Sequence, residues 1–156
     1  MDLAVGIDIG GTKTKIGLVN KEGFCVSHSH FRTRHYADLN DFLNQIKLEI
    51  DQQVASYEGE ANLIGCGIGA PNASSKNGTL EHAANLKWKG VVPIVKLLNE
   101  KINLPLRLMN DASAAALGEM LFGNAKNMND FIVMTLGTGL GAGIVANGQL
   151  IEGYDG

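Results

Sequence analysis

Cysteine is almost absent. Cys25 and Cys66 are the only two in 156 residues, they lie far apart, and neither belongs to a Cys-x-x-Cys pair or a histidine cluster. That count argues against a disulfide framework and a zinc site, and a reduced, cytoplasmic setting is the expectation. Long apolar runs are absent too. None approaches the ~18 residues of a membrane helix. Met1 passes straight into Asp2 and a brief apolar run with no basic leader, so no signal peptide is expected. Nor is there an excess of positive charge. Thirteen basic residues against sixteen acidic ones leave a net charge of −3. The basic residues are scattered, which argues against nucleic acid or an anionic membrane as a partner. What remains is a globular composition, 45% apolar and 19% charged, sized for one domain or slightly more.

Glycine is what the sequence has in excess. Twenty occur in 156 residues, nearly twice the usual share of about 7%. They cluster after apolar runs, and the pattern between the clusters predicts an α/β chain. Residues 3–9 predict a buried strand, Gly10-Gly11-Thr12 a tight turn, and 14–19 and 24–28 two more strands joined at Asn20-Lys21-Glu22-Gly23. This is a three-stranded antiparallel meander. Asp38 predicts a helix N-cap. Leu39, Phe42, Leu43, Ile46, Ile50 and Val54 follow at three- and four-residue steps, the apolar face of a long helix that Gly59 would stop. A strand over 63–68 leads into a polar loop or small hairpin over 70–90. Pro93 predicts a helix start, and Asn103-Leu104-Pro105 its end. A strand over 106–109, an alanine-rich helix over 111–121 and a buried strand over 130–136 come next. A glycine-rich turn over 137–143 and a hairpin at Asn147-Gly148 complete the pattern.

One internal echo shapes the domain expectation. Gly11-Thr12, Gly17 and Val19 recur at one constant spacing as Gly137-Thr138, Gly143 and Val145. The chain begins the same strand, turn, strand unit twice. Residues 1–122 are expected to form one lobe with parallel strands and helices, and 123–156 the first strands of a second, truncated lobe. Two strands cannot bury a core. Residues 130–151 are therefore expected to expose apolar faces such as Ile132, Leu136, Ile144 and Val145, and to pair with another copy or be poorly ordered.

Four segments carry candidate chemistry. In Asp8-Ile9-Gly10-Gly11-Thr12-Lys13, glycines after a buried strand allow close backbone approach, and successive N–H groups can form an anion nest. Thr12 and Lys13 add a hydroxyl and a charge, and Asp8 could hold Mg²⁺. A hairpin that merely needs two glycines is the plainer alternative. In Leu136-Gly137-Thr138-Gly139-Leu140-Gly141-Ala142-Gly143, four glycines in seven positions exceed a turn's needs. Two such turns together could grip the phosphates of a nucleotide from two sides. Asp111, in Met109-Asn110-Asp111-Ala112, is a cap or a catalytic carboxylate. If Asn110 caps the helix, Asp111 is released to orient a hydroxyl and accept its proton. The small side chains of 113–116 would let another element pack close. In the polar loop, the amides of Asn72 and Asn85 suit sugar hydroxyls. Trp88 is expected to pin that loop rather than stack on a sugar, and His82 to be a surface or structural histidine.

The motifs DIGGTK at 8–13, GIGAPN at 67–72, NLKW at 85–88, NDA at 110–112, AALGE at 115–119 and TLGTGLGAG at 135–143 together resemble the ROK family of repressors and sugar kinases, its bacterial glucokinases above all. The resemblance spans nearly the whole chain. It implies an actin-like, ribonuclease H-like ATPase fold with two lobes and a cleft. It implies ATP and Mg²⁺ as cofactors and a hexose, glucose first, as the substrate phosphorylated at its 6-hydroxyl. By resemblance, Gly11, Thr12 and Lys13 form the first phosphate motif, and Gly137, Thr138 and Gly139 the second. Asp111 is the base, Asn110, Asn85 and Asp111 are sugar ligands, and Asp8 is the Mg²⁺-side carboxylate. The full-length protein is expected to be a homo-oligomer, a dimer. Two positions depart from the family pattern: Asn72 stands where a GxPG turn has glycine, and Ser113 where asparagine commonly follows NDA. The family's zinc loop, a further glutamate and a Gly-His lie outside these motifs, so zinc is not expected within this chain and the chain alone is expected to be inactive. The alternative is a non-catalytic, sugar-sensing member. Family repressors carry an N-terminal winged helix, whereas this chain starts at its first strand, so a repressor is the lesser expectation.

Overall fold

A computed structural model of the chain describes residues 1–137 and 139–154. The expected meander is present as β1 (Asp2–Ile9), β2 (Thr14–Asn20) and β3 (Cys25–Phe31). β1 alternates, with Leu3, Val5, Ile7 and Ile9 buried on one face, the period-2 signature of a sheet packed on that side. α1 (Leu39–Ser56) covers that face. The Asp38 carboxylate caps it by accepting from the Asp41 N–H at 3.0 Å, and Phe42, Leu43, Ile46 and Ile50 are buried. β4 (Asn62–Ala70) then pairs parallel to β1, and β8 (Leu106–Asn110) parallel to β4. The result is one five-stranded sheet in the order β3-β2-β1-β4-β8.

The polar stretch after β4 folds further than a loop. β5 (Ala73–Ser74), β6 (Thr79–Glu81) and β7 (Val91–Val92) make a small antiparallel sheet. Ala83, Leu86 and Trp88 between β6 and β7 sink into the core. The Trp88 ring packs on Phe42 at 4.4 Å between centroids, so it pins the segment as expected. Asn72 adopts φ 51°, a left-handed conformation that asparagine tolerates, so the departure from glycine there costs little. The helix opened by Pro93, α2 (Ile94–Asn99), is shorter than expected because the chain leaves helical geometry before Asn103.

α3 (Asp111–Phe122) leads to a second sheet of β9 (Phe131–Leu136), β10 (Leu140–Ala146) and β11 (Gln149–Leu150), again an antiparallel meander. Two expectations are corrected here. β9 is not buried but alternates, because only one face of this sheet rests on α3; Leu136 is 84% exposed. Val145 is 2% exposed, because it shares the packed face with Gly141 and Gly143. Ile132, Leu136 and Ile144 lie on the open face as expected. Among the described residues, no helix is long and apolar enough to cross a membrane.

The opposite face of the five-stranded sheet has little side chain. His28, Gly17, Gly6, Gly67 and Arg107 follow one another across all five strands. The two cysteines differ sharply. Cys25 is exposed, and its thiol donates to the Ser27 carbonyl at 3.2 Å. Cys66 is buried, and desolvation pushes its pKa from an ordinary 9.0 up to about 12. Because the folded value is the higher one, this linkage favours the folded state below pH 9 and is lost as pH rises toward 12. A thiol-specific reagent at pH 8 is therefore expected to titrate one thiol, Cys25, in the folded chain and two after unfolding. Rapid labelling of Cys66 in the folded chain would contradict the burial.

Candidate functional site

The first glycine turn is anchored from beneath. Ile9 pairs with Thr14, and within the turn the Gly10 N–H donates to the Lys13 carbonyl at 3.0 Å. The Thr12 carbonyl accepts from the Thr33 N–H at 3.1 Å, and the buried hydroxyls of Thr14 and Thr33 share a hydrogen bond of 2.8 Å. The side chains of Thr12 and Lys13 are left exposed. Four turn residues put Lys15 opposite Asp8, and the two form an ion pair at 3.1 Å. Both are exposed, so the pair contributes only about 0–1 kcal/mol and leaves the carboxylate exchangeable.

Asp111 is delivered by the junction of β8 and α3. Asn110 is the N-cap, its Oδ1 accepting from the N–H groups of Ala112 at 3.0 Å and Ser113 at 3.4 Å. The cap is made without Asp111, as the residue pattern suggested. Asp111 is not wholly free: its Oδ1 also accepts from the Ala112 N–H, at 2.9 Å. Its other oxygen has no hydrogen-bond partner among the described residues. Gly69 is the strand neighbour of Asp8 on one side and of Met109 on the other. A Cβ on Gly69 would lie 3.7 Å from the Asp111 Cα and 3.4 Å from the Ala114 Cβ. Asp8 and Asp111 thus flank one bare position, where the first turn of α3 meets β4. A cavity of about 820 Å³ opens there, with Asp8, Lys13, Asp111 and Thr135 in its wall.

The second glycine turn is brought to the same helix from the other side. A Cβ on Gly143 would collide with the Ala112 carbonyl oxygen, and would lie 2.6 Å from the Ala116 Cβ. One on Gly141 would lie 3.1 Å from the Ala112 Cβ. The expected close partner of the alanine-rich face is therefore β10. At the tip, the Gly137 N–H donates to the Gly139 carbonyl at 3.0 Å, and a Cβ on either glycine would meet nothing within 4 Å. Thr138 lies outside the described residues. Asn85 is exposed and sits against Gly11. Asn85, Asn110, Gly11, Gly137 and Gly139 do not line the cavity that joins Asp8, Lys13 and Asp111.

Mg²⁺ is commonly held by one or two carboxylates, with waters and phosphate oxygens completing its shell. Asp8 and Asp111 are donors of that number and kind. Among the described residues, no three of His, Cys, Asp and Glu are gathered for a metal cage made by protein alone. Sequence reasoning missed Lys15, and it held Gly69 and Thr135 only as members of the motifs at 67–72 and 135–143. Lys15 could have been found from the hairpin register, which a four-residue turn fixes.

A sequence model of the ROK family matches residues 4–156. Among curated relatives, a glucokinase of Halalkalibacterium halodurans is 34% identical over 154 residues, covering 97% of this chain and 46% of that protein. A xylose repressor of Caldicellulosiruptor bescii is also 34% identical over 154 residues, covering 97% of this chain and 38% of that protein. Among solved structures, a ROK family glucokinase from Streptomyces griseus in complex with glucose and AMPPNP matches at a TM-score of 0.86 and 33% identity, over 97% of this chain and 47% of that one. The chain spans about half the length of the curated glucokinases it matches.

The two kinds of glycine in the second turn make opposite predictions. Gly143→Ala is expected to wedge β10 off α3 and cost about 1–3 kcal/mol, as overpacking does. Gly137→Ala is expected to stay within about 0.5 kcal/mol. Urea unfolding of both variants checks this, and equal losses would refute the distinction.

Proposed function

The chain belongs to the ROK family, and from that membership we propose that it serves ATP-dependent phosphorylation of a hexose, glucose first, at the 6-hydroxyl. Its α/β fold is the actin-like fold of the family's sugar kinases. The observation that carries the reading is Asp111. A carboxylate relieved of sole capping duty opens onto the same cavity as Asp8 and Lys13.

In this reading the Asp111 carboxylate takes the proton of the sugar hydroxyl as that oxygen attacks the γ-phosphorus. The bond from phosphorus to the β,γ-bridging oxygen breaks, and ADP leaves with the electron pair. Asn85 and Asn110 hold neighbouring sugar hydroxyls, since a side-chain amide both donates and accepts. Gly11, Thr12 and Lys13 receive the nucleotide phosphates on one side, and Gly137, Thr138 and Gly139 on the other. Asp8 is the residue that would hold Mg²⁺, which when bound neutralises phosphate charge. Residues 1–122 form the lobe that carries the base, and 123–156 begin the lobe that carries the second turn. Most of the rate enhancement is then positioning and charge neutralisation, with water excluded as the two sides approach.

A second reading, a sugar sensor without turnover, is favoured by one observation: the xylose repressor shares the same 34% identity with this chain as the glucokinase. ADP release by the complete polypeptide, measured across several hexoses, separates the two. Asp111→Asn is expected to lower turnover by about 10²–10⁴-fold, the usual worth of a general base, while the hexose KM moves less than about tenfold. Unchanged turnover would remove Asp111 from its role. Hexose binding without ADP release by the unaltered protein would favour the sensor.

A further inference from the structure

Gly11 is required to be glycine by a neighbour and not by its own backbone. Its φ is outside the left-handed region, so an alanine could adopt the same turn. A Cβ there, however, would lie 2.7 Å from the Asn85 carbonyl oxygen and 2.8 Å from the Asn85 Cβ. Both distances are shorter than non-bonded atoms tolerate, and one involves backbone that cannot rotate away. The conflict at Gly10 is different, 2.9 Å to the Lys13 carbonyl within the turn itself. Gly137 and Gly139 face open space. Two turns alike in sequence are thus built differently: the second presents bare backbone outward, and the first is moulded against Asn85.

The Asn85 segment is itself firmly held. Ala83, Leu86 and Trp88 are buried on either side of it. The Leu86 N–H donates to the Ala83 carbonyl at 3.2 Å, and the Lys89 ammonium donates to the carbonyls of Ala84 at 3.2 Å and Leu86 at 2.8 Å. Asn85 is exposed, and its side-chain amide has no partner among the described residues. A stiff segment therefore presents an unengaged amide outward, with its backbone and Cβ resting on the phosphate-side turn.

We infer that Gly11 is a positioning residue for Asn85, so that the phosphate-side turn and the hexose-side amide move as one body. The inference deepens the kinase reading and rests on Asn85 as a hexose ligand. Anything that shifts the first turn, a nucleotide phosphate included, shifts Asn85 with it, and the two substrates then influence each other's affinity.

Gly11→Ala tests this in the full chain by amide exchange and by glucose and AMPPNP titrations followed by NMR. Exchange across 83–90 is expected to rise at least about tenfold while β1 and α1 are unchanged. Glucose affinity is expected to fall at least about tenfold, and AMPPNP affinity to fall with it, because Gly11 also faces the nucleotide phosphates. Unchanged exchange at 83–90, or loss of AMPPNP affinity alone, would overturn the inference. If the unaltered complete polypeptide binds no glucose, the hexose reading fails by itself, and the exchange at 83–90 still decides the contact. If Gly11→Ala does not fold, Asn85→Gly probes the contact from the other side. Faster exchange at Gly10–Lys13 is then expected, and unchanged exchange there would overturn it.

Discussion

The spacing on either side of α3 is the constraint on which the rest of the structure depends. One side of this helix lies on β4 at Gly69, and the other is covered by β10 at Gly141 and Gly143. Toward β10 the approach leaves no room for a side chain larger than a methyl group, and Ala112 and Ala116 supply that methyl and are fully buried. Toward β4 a Cβ on Gly69 would touch the Ala114 Cβ at 3.4 Å, at the wall of the cavity. Dispersion is weak per atom pair but needs contact at about 3.5–4.0 Å, and backbone laid against alanine makes such contacts along its whole length. The helix N-terminus, with Asn110 and Asp111, is thereby fixed between two sheets. The geometry of the candidate site follows from glycine and alanine more than from its polar residues.

The same constraint separates glycines by purpose. Gly143 and Gly11 are glycine because another part of the chain stands where a Cβ would be. Gly137 and Gly139 are glycine with no internal neighbour to account for it. At the first tip the exposed groups are the side chains of Thr12 and Lys13.

Local signals in the sequence were the legible ones. Asp38 and Asn110 are caps because a short polar side chain precedes an apolar helical period, and both accept the expected N–H groups. The meander followed from strand-like runs joined at Gly10-Gly11-Thr12 and Asn20-Lys21-Glu22-Gly23, and Asn147-Gly148 closes a hairpin with both residues at positive φ. Features fixed by distant partners were not legible. β5, β6 and β7 are two or three residues long, too short to show a period. β9 looked buried because all its residues but Thr135 are apolar, yet α3 covers only one side of it. The seat of Asn85 on Gly11 joins residues far apart in the chain, and neither announces the other. In the site, Asp111 was legible as a choice between cap and base; the Asn110 side chain made the first role redundant.

The parallel pairings also impose an order of assembly. β1, β2 and β3 pair through short turns and can form as soon as they exist. β1 must then wait for β4, since Asp2 aligns with Asn62, and closing so long a segment is entropically costly and slow. At roughly 5–20 residues per second of synthesis, that wait lasts several seconds, during which one edge of β1 stays unpaired. β8 comes later still and takes the outer edge beside β4. It is β8 that ends in Asn110 and leads into Asp111. A nascent chain therefore carries the first glycine turn well before it carries the carboxylate, and closing the sheet edge brings the two together in one step.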